Sequence, residues 1–352
     1  MISEAWIADQ RDAFEGAVGQ FDRGKPVWIL THNDADGLAA AALLARAFPR
    51  IALPTQVRIL GRGENPWSEA MGDELRAQAM GGLIVTDLGI RPGPIRPDTP
   101  TIIIDHHVPG GAPPDATVIS GHGQTPTPTS SLLAFWCAGA LTEVDDLLWI
   151  AALGIIGDLG DSADFEELAA ARKRHGASAL RQATTLINAP RRTAAGDAGP
   201  ALELLMKAAG PREITSGRHP ETALLFSARD EVKAALEEGK RVAPKMKGPV
   251  ALIRLHSPCQ IHPLVAQRWR NRLKNSIVIA ANTGYRPGWV HFSVRSAQDV
   301  NLIEFLRGYA PASADEGYGN GHERATGGAL RTEGWNQFIE GLGFGPDMQV
   351  GP

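Results

Sequence analysis

The stretch KPVWILTHNDADGLAAAALLARAF, Lys25 to Phe48, sets the architecture of the chain. Its apolar, β-prone run VWIL (Val27 to Leu30) is short and uninterrupted, which reads as a strand buried on both faces. A polar turn comes next, His32-Asn33-Asp34-Ala35-Asp36-Gly37, and then GLAAAALLARAF (Gly37 to Phe48), rich in strong helix formers and free of proline. Two more apolar runs end in the same kind of polar group, GLIVTD (Gly82 to Asp87) and TIIIDHH (Thr101 to His107). Strands of this kind alternating with helix-like segments predict an α/β fold built on a parallel sheet. Such sheets carry their sites beyond the carboxyl ends of the strands, where each of these polar groups lies.

Further along, the pattern changes. From about 130 to 209 the apolar positions recur at mixed three and four spacing, through SLLAFWCAGAL, DDLLWIAALGIIGD and ALELLMKAA, which predicts helices. The Gly-, Pro- and Ala-rich stretches APRRTAAGDAGP and AAGPREITSGRHP read as connectors. A second α/β pattern then begins, with a strand at PVALIRLH (Pro249 to His256), a helix from about Ile261 to Leu273, and strands near SIVIAAN and GWVHFSVRS. At 352 residues the chain is longer than one hydrophobic core usually serves, so two domains are expected, the second the smaller.

Composition narrows the function classes. With 43% hydrophobic and 21% charged residues the chain is globular rather than disordered. A formal net charge of −4 excludes a general basic coat for nucleic acid and leaves room for a local basic groove. Cys137, inside an apolar stretch, and Cys259, after a proline, form neither a disulfide framework nor a zinc site, and suit a reducing compartment. The N-terminus, MISEAWIADQRDAFEG, carries acid where a signal peptide carries positive charge, and no apolar run reaches the roughly 18 residues of a membrane span. A cytoplasmic location is expected.

Four clusters carry the chemistry: His32 to Gly37, Asp87 in VTDLG, Asp105-His106-His107, and Asp158 in IIGDLGD. Unpaired carboxylates gathered at one sheet edge repel each other in a partly desolvated site, and bound cations remove that conflict. In an extended turn Asp34 and Asp36, one residue apart, can each serve a different metal while Asp87 bridges both. A carboxylate-rich set with one or two imidazoles suits Mn²⁺, with Mg²⁺ as the alternative, better than zinc. Two such ions roughly 3.5 to 4 Å apart would activate a water and neutralise a phosphoryl group, so phosphate ester hydrolysis is the expected reaction. Each cluster also has a plainer reading. Asp34 stands where an N-cap of the following helix would stand, His32 can hydrogen-bond the loop, and Asp161 and Asp164 read as surface groups. Recurrence at successive strand ends favours the metal reading.

With these motifs in order, the chain resembles the DHH phosphoesterase superfamily, whose name is the run seen here as Asp105-His106-His107. HNDADG is similar to the first motif of that family, VTDLG to the second, IDHH to the third and GDLGD to the fourth. The resemblance implies that Asp34, Asp36, Asp87, His106 and Asp158 are metal ligands, with Asp87 shared, and that His32 is a further candidate ligand. It implies that His107 stands next to the substrate phosphate, and that Asp105 steers an imidazole by hydrogen bonding. The C-terminal part resembles the DHHA1 substrate domain. Gly319-Asn320-Gly321-His322 matches its Gly-Gly-Gly-His loop with Asn in place of one glycine, followed by ERATGGAL, and a Gly-rich backbone before a helix would cradle phosphate. Ser293 and Arg295 in FSVRS match positions that hold a terminal phosphate. INAPRRTAAGDAGPALELL is similar to the stretch linking the two lobes in RecJ-type members, which makes Asn188, Arg191 and Arg192 candidate substrate contacts. The implied organisation is a DHH catalytic domain over 1–190, a helical or Gly/Pro connector over 191–220 and a DHHA1 domain over 221–352, with the site in a cleft between the domains.

DADGLAA is closest in kind to RecJ-like nucleases, which points to single-stranded nucleic acid or short oligonucleotides cut to mononucleotides. Anchoring by Ser293 and Arg295 implies attack from the 5′ end, and Tyr285, Trp289 and Phe292 are near enough in sequence to stack on bases. Hydrolysis of 3′-phosphoadenosine phosphate or of cyclic or linear dinucleotides is the alternative within the same chemistry. A non-catalytic DHH scaffold is the alternative outside it, and the filled ligand positions oppose that reading.

Overall fold

The computed structural model describes residues 2–314 and 318–351, which divide into two compact units, Met1–Arg191 with Gly196–Ser227, and Arg192–Ala195 with Ala228–Pro352. In chain order the first unit holds α1 (Glu4–Val18), β1 (Val27–Thr31), α2 (Ala35–Ala47), β2 (Thr55–Ile59), α3 (Glu69–Arg76), β3 (Gly82–Thr86), β4 (Thr101–Asp105) and β5 (Ala116–Ser120). These are followed by α4 (Ser130–Leu141), α5 (Leu148–Leu159), α6 (Glu166–His175), α7 (Ala177–Ile187), α8 (Gly199–Lys207) and α9 (Pro211–Thr215). The division falls inside α10 (Pro220–Gly239).

The five strands form a wholly parallel sheet in the order β2-β1-β3-β4-β5. Both faces are covered, and the alternation of side chains shows how. Val27, Ile29, Ile84, Ile102 and Ile104 join the larger core with α2, α4 and α5, while Leu30, Leu83, Val85 and Ile103 pack against Met71 and Leu75 of α3. The chain moves outward from β1 to β2 on one side and from β3 to β5 on the other, so β1 and β3 flank a topological switch point. One expectation needs correcting: no helix joins β3 to β4 or β4 to β5, and RPGPIRPDTP, Arg91 to Pro100, is too proline-rich to form one.

The expected connector over 191–220 is largely part of the first unit. Leu204 and Leu205 of α8 and Ile214 of α9 are fully buried in its main core, while only Arg192–Ala195 go with the second unit. The apolar spacing of ALELLMKAA outweighs the Gly and Pro residues around it.

The second unit holds β6 (Lys245–Lys247), β7 (Val250–Leu255), α11 (His262–Arg272), β8 (Ile277–Arg286), β9 (Trp289–Ser296), α12 (Leu302–Gly308), β10 (Asn320–His322), β11 (Ala325–Arg331) and α13 (Thr332–Gly341). Its sheet runs β10-β11-β9-β8-β7-β6, parallel only between β7 and β8. Val290, Phe292 and Val294 bury one face with Leu302, Leu306, Trp335 and Phe338, while Val278 and Ala280 meet Val265 and Ala266 of α11 on the other.

Candidate metal centre

The carboxyl ends of β1, β3 and β4 lie side by side, and each delivers one of the polar clusters. Beyond β1, Asp34 caps α2: its Oδ1 accepts from the Asp36 and Gly37 N–H groups at 3.2 and 3.1 Å. Its other oxygen lies 3.0 Å from His32 Nδ1 and 3.6 Å from Arg191 Nη1. The helix cap and the candidate ligand are therefore the same side chain using different oxygens. Gly37 is required where it stands, because a Cβ there would come within 2.6 Å of the His32 carbonyl oxygen.

Beyond β3, Asp87 adopts a left-handed backbone, φ +60°, which Asp tolerates better than most residues. Its Oδ2 is 3.4 Å from His32 Nδ1, and its Oδ1 is 3.5 Å from His106 Nε2 and 3.9 Å from His107 Nδ1. His106 Nε2 also lies 3.1 Å from Asp158 Oδ2, in the last turn of α5, and 4.0 Å from Asp36 Oδ2. Among the described residues three overlapping donor sets result, His32-Asp34-Asp87, Asp36-Asp87-His106-Asp158 and Asp87-His106-His107, in each of which the donor atoms lie within 4.8 Å of one another. Asp87 belongs to all three.

Electrostatics test the fit of cations to these sets. Burial, with the neighbouring charges of Asp87 and Asp158, pushes the Asp36 carboxyl up to about 8, and Asp158 is raised as well. Burial alone would lower the imidazoles, yet Asp34 and Asp87 hold His32 up at about 10, and Asp158, Asp87 and Asp36 hold His106 up at about 12. Asp34, although buried, is held well below the usual carboxylate range by His32 and Arg191. Carboxylates that retain protons because of one another, and imidazoles that stay charged because of them, mark a site short of positive charge. Oxygen-rich donors with imidazole nitrogens suit hard or borderline divalent cations.

Asp105 and His107 stand differently. Asp105 is fully buried; its Oδ1 accepts from the His107 N–H at 2.7 Å and lies 3.0 Å from His107 Nδ1, while its Oδ2 accepts from the Gly89 N–H at 2.7 Å. The carboxylate thus fixes the orientation of a half-exposed imidazole.

Residues the sequence reasoning missed hold the centre from behind. The N–H groups of Ser130 and Ser131, at the start of α4, donate to the Asp36 carboxylate at 2.8 and 3.0 Å, and Ser130 Oγ donates to Asp87 Oδ1 at 3.0 Å. Thr129-Ser130-Ser131 before an apolar run is a legible N-cap signal, and nothing in it points to Asp87. Asn188 Oδ1 accepts from the Ala35 N–H at 2.9 Å, which makes this expected substrate contact a clamp on the start of α2. Arg191 is tied to Asp34, and the Arg192 carbonyl accepts from the Gln260 N–H. Asp161 pairs with Arg172 and Arg181 and stands apart from the donor sets.

In the second unit, Ser293 is buried with its Oγ 3.5 Å from the Thr326 carbonyl oxygen. Arg295, two residues along the same face of β9, donates to the Val294 and Thr326 carbonyls, and burial beside Arg270 lowers its guanidinium to about 10. The glycine stretch departs from expectation: Asn320–His322 form strand β10 rather than a loop, and the next element is strand β11, not a helix, so no helix N-terminus serves as a phosphate cradle there. ATGGALR pairs residue for residue with β9, an alternative to helix that its glycines favour. Gly319 and Gly321 have φ of +77° and +124°, and a Cβ on Gly321 would meet the Ala325 carbonyl oxygen at 2.6 Å. The side chains of Asn320 and His322 lie outside the described residues. Phe292 and Tyr285 are buried, which leaves Trp289 as the accessible aromatic of the three.

No protein-family model matches the sequence, and no curated protein matches it. Solved structures do match. An exonuclease RecJ bound to manganese superposes with a TM-score of 0.66 at 20% identity, over 95% of this chain and 93% of that one. RecJ in complex with Mn²⁺ from Thermus thermophilus gives 0.69 at 21% identity, over 95% of this chain, which spans about half (54%) of that one. The DHH domain of a member of the s1p family of ribosomal proteins gives 0.66 at 16% identity, over 97% and 92%. These likenesses cover both units, and the chain shares the two-domain α/β fold of these structures.

Proposed function

We propose that the chain is a divalent-metal-dependent phosphodiesterase that hydrolyses single-stranded nucleic acid or short oligonucleotides to mononucleotides, starting from the 5′ end. The observation that carries the reading is the convergence of Asp/His donor sets on the two oxygens of Asp87. His32 and Asp34 would hold one ion, Asp36, His106 and Asp158 the other, and Asp87 both. Mn²⁺ is the favoured ion, in keeping with the manganese-bound RecJ structures of the same fold. When bound, such a pair supplies an activated water and neutralises charge on the phosphoryl group.

The chain's own residues supply the rest. His107, kept in register by Asp105 and half-exposed, is suited to orient the scissile phosphate and protonate the leaving oxygen. Ser293 and Arg295, with the backbone of Gly319 to His322, would hold a terminal phosphate. Arg191 supports Asp34 and lies close enough to it to meet a substrate phosphate as well.

The Mn²⁺-loaded protein should cleave a dinucleotide phosphodiester in preference to the 3′-phosphate of a mononucleotide, and Asp87→Ala should bind Mn²⁺ weakly and lose nearly all turnover. Wild-type rates in Asp87→Ala, or a preference for the monoester, would overturn the proposal.

A further inference from the structure

Trp289 begins β9 between two arginines. In the strand register it lies opposite Arg286 of β8 and opposite Arg331 of β11, so the three side chains share one face of the sheet. The two guanidinium carbons are 4.7 and 4.4 Å from an indole ring centroid. Among the described residues, neither guanidinium has a carboxylate or hydrogen-bond partner. Arg331 is exposed, and Arg286 and Trp289 are half-buried. Two like charges brought onto one aromatic ring and left without a counter-ion form a surface to which an anion with a flat ring is complementary.

The stack is aligned with the residues assigned to the terminal phosphate. Trp289, Ser293 and Arg295 alternate along β9 with the buried Val290, Phe292 and Val294, so all three face the same way. The rise of a strand puts Trp289 roughly 20 Å from Arg295. Between them the same face carries His291 of β9 and, from β11, Ala325, Gly327 and Ala329, all partly exposed.

We infer that Arg286, Trp289 and Arg331 form a second contact for single-stranded nucleic acid, in which a base stacks on the Arg-Trp-Arg array and the neighbouring phosphates pair with the guanidiniums. This rests on the nucleic-acid reading of the proposed function and deepens it: strands long enough to reach the stack bind more tightly than dinucleotides do.

The test uses the full Mn²⁺-loaded chain and fluorescence anisotropy with labelled, hydrolysis-resistant phosphorothioate oligothymidylates of two to about 16 nucleotides, over a range of salt. Replacing both arginines, R286Q with R331Q, should weaken binding of the longest strand about tenfold, and W289A should do so to a similar extent, since a base-aromatic stack removed by alanine is worth about that much. Loss of two phosphate contacts should flatten the salt dependence by about 1.4 in slope. Thermal melting should fall by no more than the loss of two exposed cation–π contacts allows. Equal affinity and equal salt slope in the wild type and the double variant would overturn this contact alone. A wild type that binds no strand of any length would overturn both the contact and the nucleic-acid reading beneath it.

Discussion

A carboxylate that is to be shared by two cations, as proposed for Asp87, must be held by something other than the cations, or each metal would drag it towards itself. Ser130 does this for Asp87 through a 3.0 Å hydrogen bond to Oδ1, and the same residue's N–H fixes Asp36, so one helix N-terminus sets two acidic groups at once. Ser130→Ala should therefore weaken Mn²⁺ binding by roughly 10- to 100-fold in calorimetry. Its stability cost should be that of one buried hydrogen bond to a charged group, about 1.5 to 3 kcal/mol. Unchanged metal affinity would show that Asp87 is held by its backbone alone. At this scale the acids and imidazoles were legible because each closes an apolar run. The serine was not, since its partner is 43 residues away and the two meet only when a helix start arrives at a strand end.

Among the elements, α5 is the one whose packing the centre depends on. It must approach α2 and α4 closely for Asp158 to reach His106, and two glycines permit the approach. A Cβ on Gly154 would collide with Ser131 Oγ and stand 2.6 Å from Asp36 Oδ1, and one on Gly157 would stand 2.8 Å from the Ala35 Cβ. Gly154→Ala should cost roughly 1 to 3 kcal/mol through overpacking and should also displace Asp36, lowering metal affinity together with melting temperature. A variant that melts earlier and binds Mn²⁺ normally would separate the helix from the site. The strands β1, β3, β4 and β7 and the helices α2 and α11 were readable from apolar runs and good helix formers. The strands β10 and β11 were not, because ATGGALR carries glycines on both faces and acquires its strand character from pairing with β9.

Over the whole molecule, the charge stored at the centre makes stability depend on pH and on metal together. In the metal-free chain His32 is raised from 6.5 to about 10. Its stabilising contribution is complete below 6.5 and is lost as the pH climbs through about 10. Asp36, raised from 3.8 to about 8, acts with the same sign, since the folded chain keeps a proton that the unfolded chain has already released. Asp34 acts oppositely, but its depressed value confines the effect to acid pH. The chelator-treated protein should therefore lose melting temperature between pH 6.5 and about 10, and bound Mg²⁺ or Mn²⁺, by replacing the protons, should flatten that slope. A slope identical with and without metal would contradict the charge balance argued for the centre. The two-domain α/β order was legible from where the apolar runs fall. The boundary was not, because α8 and α9 follow a glycine-rich stretch yet bury Leu204, Leu205 and Ile214 in the first core. The measurement that bears most directly on function is digestion of 5′-labelled and 3′-labelled single strands by the Mn²⁺-loaded protein, resolved by length over time. Stepwise release of mononucleotides from the 5′ end, abolished by chelation, is the expected result. Intact strands of every length, with Mn²⁺ demonstrably bound, would contradict it.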